Sequence, residues 1–144
     1  MLKVSVLNDF YSTNIFDTYT VAKHILSHDI DIHLHNRNYE IVNIIAATTI
    51  NGKAKNFYSF ASKYCSHHNP ETFPIYDSFV DKMLQHYRRS DQFCCFEQGD
   101  LKNYSMFIEI IRKFKGFYEL EEFSLRQIDI FLWLAGKEFF PKSY

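Results

Sequence analysis

Three groups of residues in this chain are of types and spacings that can do chemistry. The first is a run of cations: between Asn51 and Asn69 there is no acidic residue, while Lys53, Lys55 and Lys63 are positive and His67 and His68 close the run. Gly52 inside it tolerates the positive φ of a tight bend. Backbone N–H groups at such a bend, beside lysines, suit a backbone phosphate. The nucleic-acid-binding candidates are therefore Gly52, Lys53, Lys55, Lys63 and His68. The second group is a carboxylate behind a stiff connector: Pro70 and Pro74 restrict the chain before Asp77, which the connector delivers to the start of a following helix, where it can act as a cap. The third is aromatic: Tyr58, Tyr64 and Tyr76 with His68 would line a pocket for a small ligand.

Other combinations fall short of a site. Cys65, His67 and His68 lie together, and His33 and His35 form a His-x-His, but no second pair completes a zinc spacing, so no metal is expected. A Cys65–His68 nucleophile pair is one helical step apart, yet Cys65 shares its face with Phe57, Phe60, Ala61 and Tyr64, which argues for burial. There is no GxGxxG and no P-loop, and no cofactor is expected. Three cysteines, Cys65, Cys94 and Cys95, form an odd set without framework spacing; reduced, buried thiols and a cytoplasmic location follow.

The elements that must position these groups read as helices. Val4, Leu7, Phe10 and Tyr11 mark a first helix. Asn14 then caps a second with Ile15, Tyr19, Ala22 and Leu26 on one stripe. Asp29 to His35 alternates apolar and polar residues, which reads as an extended loop feeding the next helix. Ile41, Val42, Ile44 and Ile45 mark a third helix over 38–49, stopped by Asn51-Gly52. A fourth carries Phe57, Phe60, Ala61, Tyr64 and Cys65 as far as Pro70. Asp77 or Ser78 caps a fifth with Phe79, Val80, Met83, Leu84 and Tyr87 inward. Arg88 to Gly99 reads as a loop pinned by apolar side chains. Asp100 starts a sixth helix with Tyr104, Phe107, Ile108, Ile111 and Phe114 inward and Gly116 at its stop. Ser124 and Gln127 form a capping box for the last helix. That helix is apolar almost all round, so it is either central in the bundle, the reading preferred here, or docked on a partner.

With 144 residues, 47% hydrophobic and 18% aromatic, the chain fits one core in which Phe and Tyr outweigh Val and Leu. The expectation is an all-α, compact single-domain bundle of six to seven helices spanning residues 1–144. Sixteen Lys plus Arg against seventeen Asp plus Glu leave a formal charge of −1, so any polyanion must be held by a local patch. No apolar run is long enough for a membrane span, and no signal segment is evident at the N-terminus.

The stretch from Asn51 to Asp81 resembles the helix-hairpin-helix DNA glycosylases, in which a Gly-rich hairpin with a nearby Lys is followed by an apolar helix and a segment reading roughly Val-Pro-Val-Asp-Thr-His-Val. The corresponding words here are Phe73-Pro74-Ile75-Tyr76-Asp77-Ser78-Phe79-Val80. The resemblance implies a helix-hairpin-helix element at residues 51–55, Asp77 as the catalytic aspartate, Lys55 or Lys53 as nucleophile, and DNA as partner. The wording from Ser59 to Pro70 with Phe73 to Ser78 is also similar to a group of small uncharacterised bacterial proteins. From a different class, the alternative is a non-enzymatic helical protein–protein interaction module, associating with itself or a protein partner through the C-terminal helix.

Overall fold

The computed structural model describes residues 1–141. Its secondary structure is helical apart from one two-stranded hairpin, with eight α-helices among the described residues, so the chain is all-α with one helix more than expected. The backbone falls into two units, Met1–Phe73 and Pro74–Tyr144, the second described through Pro141.

In the first unit, α1 (Leu2–Tyr11) buries Val4 and Leu7 while Phe10 faces solvent, so the expected stripe is only half inward. The turn after it is clamped by Asn8, whose Oδ1 accepts from Ile15 N and Thr13 Oγ1 and whose Nδ2 donates to the Ile15 carbonyl. Asn14 takes a left-handed φ of 57° in that turn and does not cap. Asp17 caps α2 (Thr18–Leu26) instead, its carboxylate accepting from both the N–H and the hydroxyl of Thr20, which holds its pKa below the usual range. The inward residues of α2 are Val21, Ala22 and Ile25; Tyr19 and Leu26 point out.

The alternating segment expected to be extended is a short helix, α3 (Ile30–His35). Ile30 and Leu34 are buried and Ile32 is exposed. Positions i, i+2 and i+4 serve a strand, but i and i+4 alone serve a helix, and burial of only the outer two decides for the helix.

Helix α4 (Glu40–Ala46) buries Ile41, Val42, Ile45 and Ala46, and stops before the expected Thr49. Residues Ala47–Ile50 form β1, pairing antiparallel with β2 (Lys53–Asn56) in the register Ala47–Asn56, Thr48–Lys55, Thr49–Ala54, Ile50–Lys53. Asn51 and Gly52 have φ of 50° and 72°. Positive φ at both central positions is the mark of a two-residue type I′ hairpin turn. The bend was expected for the right conformational reason, but it joins strands, because Thr48, Thr49 and Ile50 are β-branched and favour an extended chain. Helix α5 (Tyr58–His68) follows and ends at Asn69, held at φ −147° by Pro70 behind it.

In the second unit, Asp77 caps α6 (Ser78–Asp91), which buries Val80, Met83 and Leu84. Arg88 to Asp91 continue this helix, so the loop begins at Gln92, where φ is 53°, and not at Arg88. Arg88 reaches forward to donate to the Phe96 carbonyl and lies 5.0 Å from the Phe96 ring centre. With Phe93, Cys94 and Phe96 buried, the loop is pinned as expected. Asp100 belongs to a 3-10 turn (Gln98–Lys102), closing a capping box with Glu97; Asn103 caps α7 (Tyr104–Phe117). Gly116 does not end α7, and the left-handed residue beyond it is Glu119.

Helix α8 (Leu125–Phe139) starts at the expected Ser124–Gln127 capping box. It is not the central helix. Its buried residues are Ile128, Asp129, Leu132 and Gly136, whereas α7 buries Tyr104, Phe107, Ile108, Ile110, Ile111 and Phe114. The main packing partner of α8 is α6, and the approach is closest at Gly136: a Cβ there would stand 2.8 Å from both Cβ and the carbonyl oxygen of Phe79 and 3.1 Å from Met83 Cγ.

Candidate functional site

The cationic run does not fold as one patch. Gly52, Lys53 and Lys55 are exposed at the tip and on the second strand of the hairpin. Residues two apart on a strand share a face, so the two lysines point the same way. Lys63 is a correction: it is only 7% exposed, donates from Nζ to Ser59 Oγ at 2.9 Å and lies over the Tyr11 ring at 5.2 Å. It is spent on packing its stem and satisfying its head, the usual way for a lysine to tolerate burial. The glycine bend also joins two strands, so residues 51–55 are not a helix-hairpin-helix element and bring no helix N-terminus to the bend.

Asp77 is placed at a helix start with extended backbone (φ −144°, ψ 158°), and its Oδ1 accepts from Phe79 N at 2.8 Å. This is N-cap geometry, and it accounts for an Asp at this position. The connector before it is tied down at three successive residues. The Pro74 carbonyl accepts from Tyr104 OH at 2.5 Å. Ile75 N donates to Asp129 Oδ2 at 2.7 Å. Tyr76 OH donates to Asp81 Oδ2 at 2.6 Å. Burial first, then that bond and the neighbouring carboxylates, push the Tyr76 hydroxyl pKa well above its usual value. Tyr76 is thus a strut of the connector, with its hydroxyl engaged inside its own unit.

Asp129 went unread in the sequence. It sits inside the apolar run of α8, almost wholly buried, accepting from Ile75 N and pairing with Arg126 one turn earlier. Burial outweighs both partners, and with Asp77 adding repulsion the carboxyl is pushed up to about 7. The available signal was the one acid within the apolar stretch Ile128–Ala135, with an arginine three residues before it.

The aromatic group divides as well. Tyr58 is buried; Tyr64 and His68 lie one turn apart on α5, ring centres 4.8 Å apart, on the wall of an open cavity of about 770 Å³ in the first unit. Val4 of α1, Ala22 and Ile25 of α2 and Ile30 of α3 supply apolar walls. Nε2 of His68 is closed off from solvent, and no described residue offers it a hydrogen bond. Burial foremost, and then the charges of Lys3 and His67 against that of Asp31, lower the His68 pKa, favouring the neutral ring. Burial likewise raises the Tyr64 hydroxyl. His67, by contrast, is exposed at the helix end. Of the cysteines, Cys65 and Cys94 are buried and Cys95 is exposed, against the expectation that all three lie inside. Among the described residues no group of three His, Cys, Asp or Glu side chains is placed to hold a metal ion, and no helix is long and apolar enough to cross a membrane.

These observations define a helical protein whose first unit carries a cavity and an exposed hairpin and whose second carries a braced connector. The profile of the HI_0787_N N-terminal domain matches residues 1–72, and the chain belongs to this family. The match ends one residue short of the break between the two units. An uncharacterized protein of Haemophilus influenzae is 48% identical over 141 residues, covering 97% of this chain and 67% of that protein. The resemblance to uncharacterised bacterial proteins thus has a relative behind it. No solved structure matches the chain.

Proposed function

We propose that this protein is an interaction module that pairs with a second copy of itself through the outer face of α8. The observation that carries this reading is the stripe Ile130, Phe131 and Leu134, which is 39%, 47% and 54% exposed on the side of α8 away from Ile128, Leu132 and Gly136. A helix that is apolar on both faces leaves one face in need of cover, and an apolar strip of adjacent large side chains marks an association surface. A twofold contact covers the same strip on both copies at once. The charged residues Lys137 and Glu138 lie beyond one end of the strip, so antiparallel pairing keeps each pair away from its counterpart and opposes the helix dipoles.

The DNA-processing reading retains the exposed Gly52, Lys53 and Lys55 and a carboxylate at Asp77, but it is left without Lys63 and without a hairpin between helices. The two readings separate in solution. Sedimentation equilibrium of the full chain between about 1 and 100 μM, the range of ordinary protein association, is expected to give a monomer–dimer equilibrium that Leu134→Glu abolishes. A monomer throughout, combined with salt-sensitive binding to duplex DNA carrying an abasic-site analogue that Lys55→Ala weakens, would favour the DNA reading instead. Loss of any cleavage in Asp77→Asn, which keeps the cap, would then assign Asp77 a chemical role.

A further inference from the structure

Apart from His68, which the DNA reading names for phosphate, the cavity of the first unit is used by neither reading. Its volume of about 770 Å³ falls within the range of small-molecule sites. Its rim is formed in part by Leu2, Leu26 and Ile32, which are 78%, 78% and 62% exposed. Three large aliphatic side chains held in water around one opening over apolar walls lose hydrophobic stabilisation that an apolar guest would restore. The polar groups decide what kind of guest. The rim charges are of both signs, with Lys3 against Asp29 and Asp31, so no strong field draws a highly charged molecule. On the wall, the His68 ring stands against Tyr64 with an unpartnered nitrogen. A buried nitrogen without a partner is destabilising, and binding a guest's polar group there requires the ring to turn about its Cβ–Cγ bond so that this nitrogen faces the cavity.

We infer that this cavity binds an uncharged, mainly aliphatic small molecule carrying one hydroxyl or amide group, with the chain against Val4, Ala22, Ile25 and Ile30 and the polar group on His68. The inference is independent of the α8 surface. The family profile covers every residue that forms the cavity, which makes it a property of the N-terminal domain.

The probe is N-phenyl-1-naphthylamine, an uncharged apolar fluorophore with one N–H, titrated against the full chain and displaced with 1-decanol or decanoate. Saturable binding is expected, with 1-decanol displacing the dye at lower concentration than decanoate. Leu26→Arg, at an exposed rim position, should weaken dye binding at least tenfold. His68→Phe, which keeps a ring and removes the nitrogens, should weaken 1-decanol about fivefold, the loss of one hydrogen bond. Leu134→Glu, on α8, should leave dye binding unchanged. Absence of saturable binding, or binding that survives Leu26→Arg, overturns the site; loss of binding in Leu134→Glu places the dye on α8 and does the same. Tighter displacement by decanoate, or a His68→Phe variant with unaltered 1-decanol affinity, overturns the assigned ligand class.

Discussion

The approach of α8 to α6 at Gly136 allows one substitution to be tested at two sites with opposite expected signs. In α7, an alanine at Gly116 meets nothing nearer than Glu121 Oε1 at 4.0 Å, so Gly116→Ala acts through backbone entropy alone. In a helix interior that change is worth about 1 kcal/mol, and in the last turn about half of it remains. At Gly136 the same methyl group would stand 2.8 Å from Phe79 Cβ and from the Phe79 carbonyl oxygen, and the latter is backbone that cannot swing aside. An ordinary carbon–carbon contact is about 3.5 Å or more, so the two helices must part by roughly 0.7 Å. Overpacking of this kind costs about 1–3 kcal/mol, against a propensity gain of about half a kcal/mol, since Gly136 also stands in the last turn of its helix. Gly136→Ala is therefore expected to destabilise by about 1 kcal/mol and Gly136→Val, which forgoes most of the propensity gain and adds volume, by about 3 kcal/mol. At roughly 4 °C per kcal/mol for a chain of this size, thermal unfolding followed by circular dichroism at 222 nm resolves the three variants. A Gly136→Ala protein that melts at or above the wild type, or together with Gly116→Ala, would show that α6 and α8 do not meet as described.

Other expectations concern single groups. The Asp129 carboxyl is pushed up to about 7 in the folded chain against an ordinary value of 3.8, so the folded state holds this proton where the unfolded chain has released it. Its stabilisation is complete below the ordinary value and is lost as pH rises to about 7; the Tm of Asp129→Asn relative to wild type should accordingly rise between those limits, and a flat difference would refute the assignment. Gly52→Ala meets no atom within 4 Å, so it tests the φ of 72° alone and should cost about 1–2 kcal/mol in urea unfolding; a neutral result would mean that the turn is not left-handed. A maleimide reagent should label Cys95 in the native protein and reach Cys65 and Cys94 only on unfolding, read by peptide mass; early labelling of Cys65 would contradict its burial.

How far the sequence told this in advance depended on how local the determining interaction is. The Ser124–Gln127 box, the Asp77 cap and the Pro70 stop all depend on residues within one turn, and each stands where it was read. The strands were missed because Ile41 to Ile45 set a helical period that was carried on through Thr48 and Thr49, although Asn-Gly behind three β-branched residues is itself a hairpin signal. Which face of α8 is inward was illegible, since Ile130 and Phe131 look as suited to a core as Ile128 and Leu132; the small Gly136 marks the buried side. For the candidate site, Tyr64 and His68 were legible as neighbours on a helix, but the cavity they share with α1, α2 and α3 is made by contacts distant in sequence. The burial of Lys63 rests on Tyr11, more than fifty residues away, and no local pattern announces it.

The hairpin carries a consequence for how the molecule behaves in company. Among the described residues each of its strands has one hydrogen-bonded neighbour, and along Lys53–Asn56 every side chain is exposed, leaving a flank of amides and carbonyls open to another chain. Such a flank is a template on which strands accrete, and ammonium groups seated on it make copies repel. Lys53 and Lys55, which look in sequence like a grip for a polyanion, are on this ground expected to oppose strand addition. With Lys53 and Lys55 both changed to Val, light scattering of a concentrated solution should rise with time where the parent stays clear.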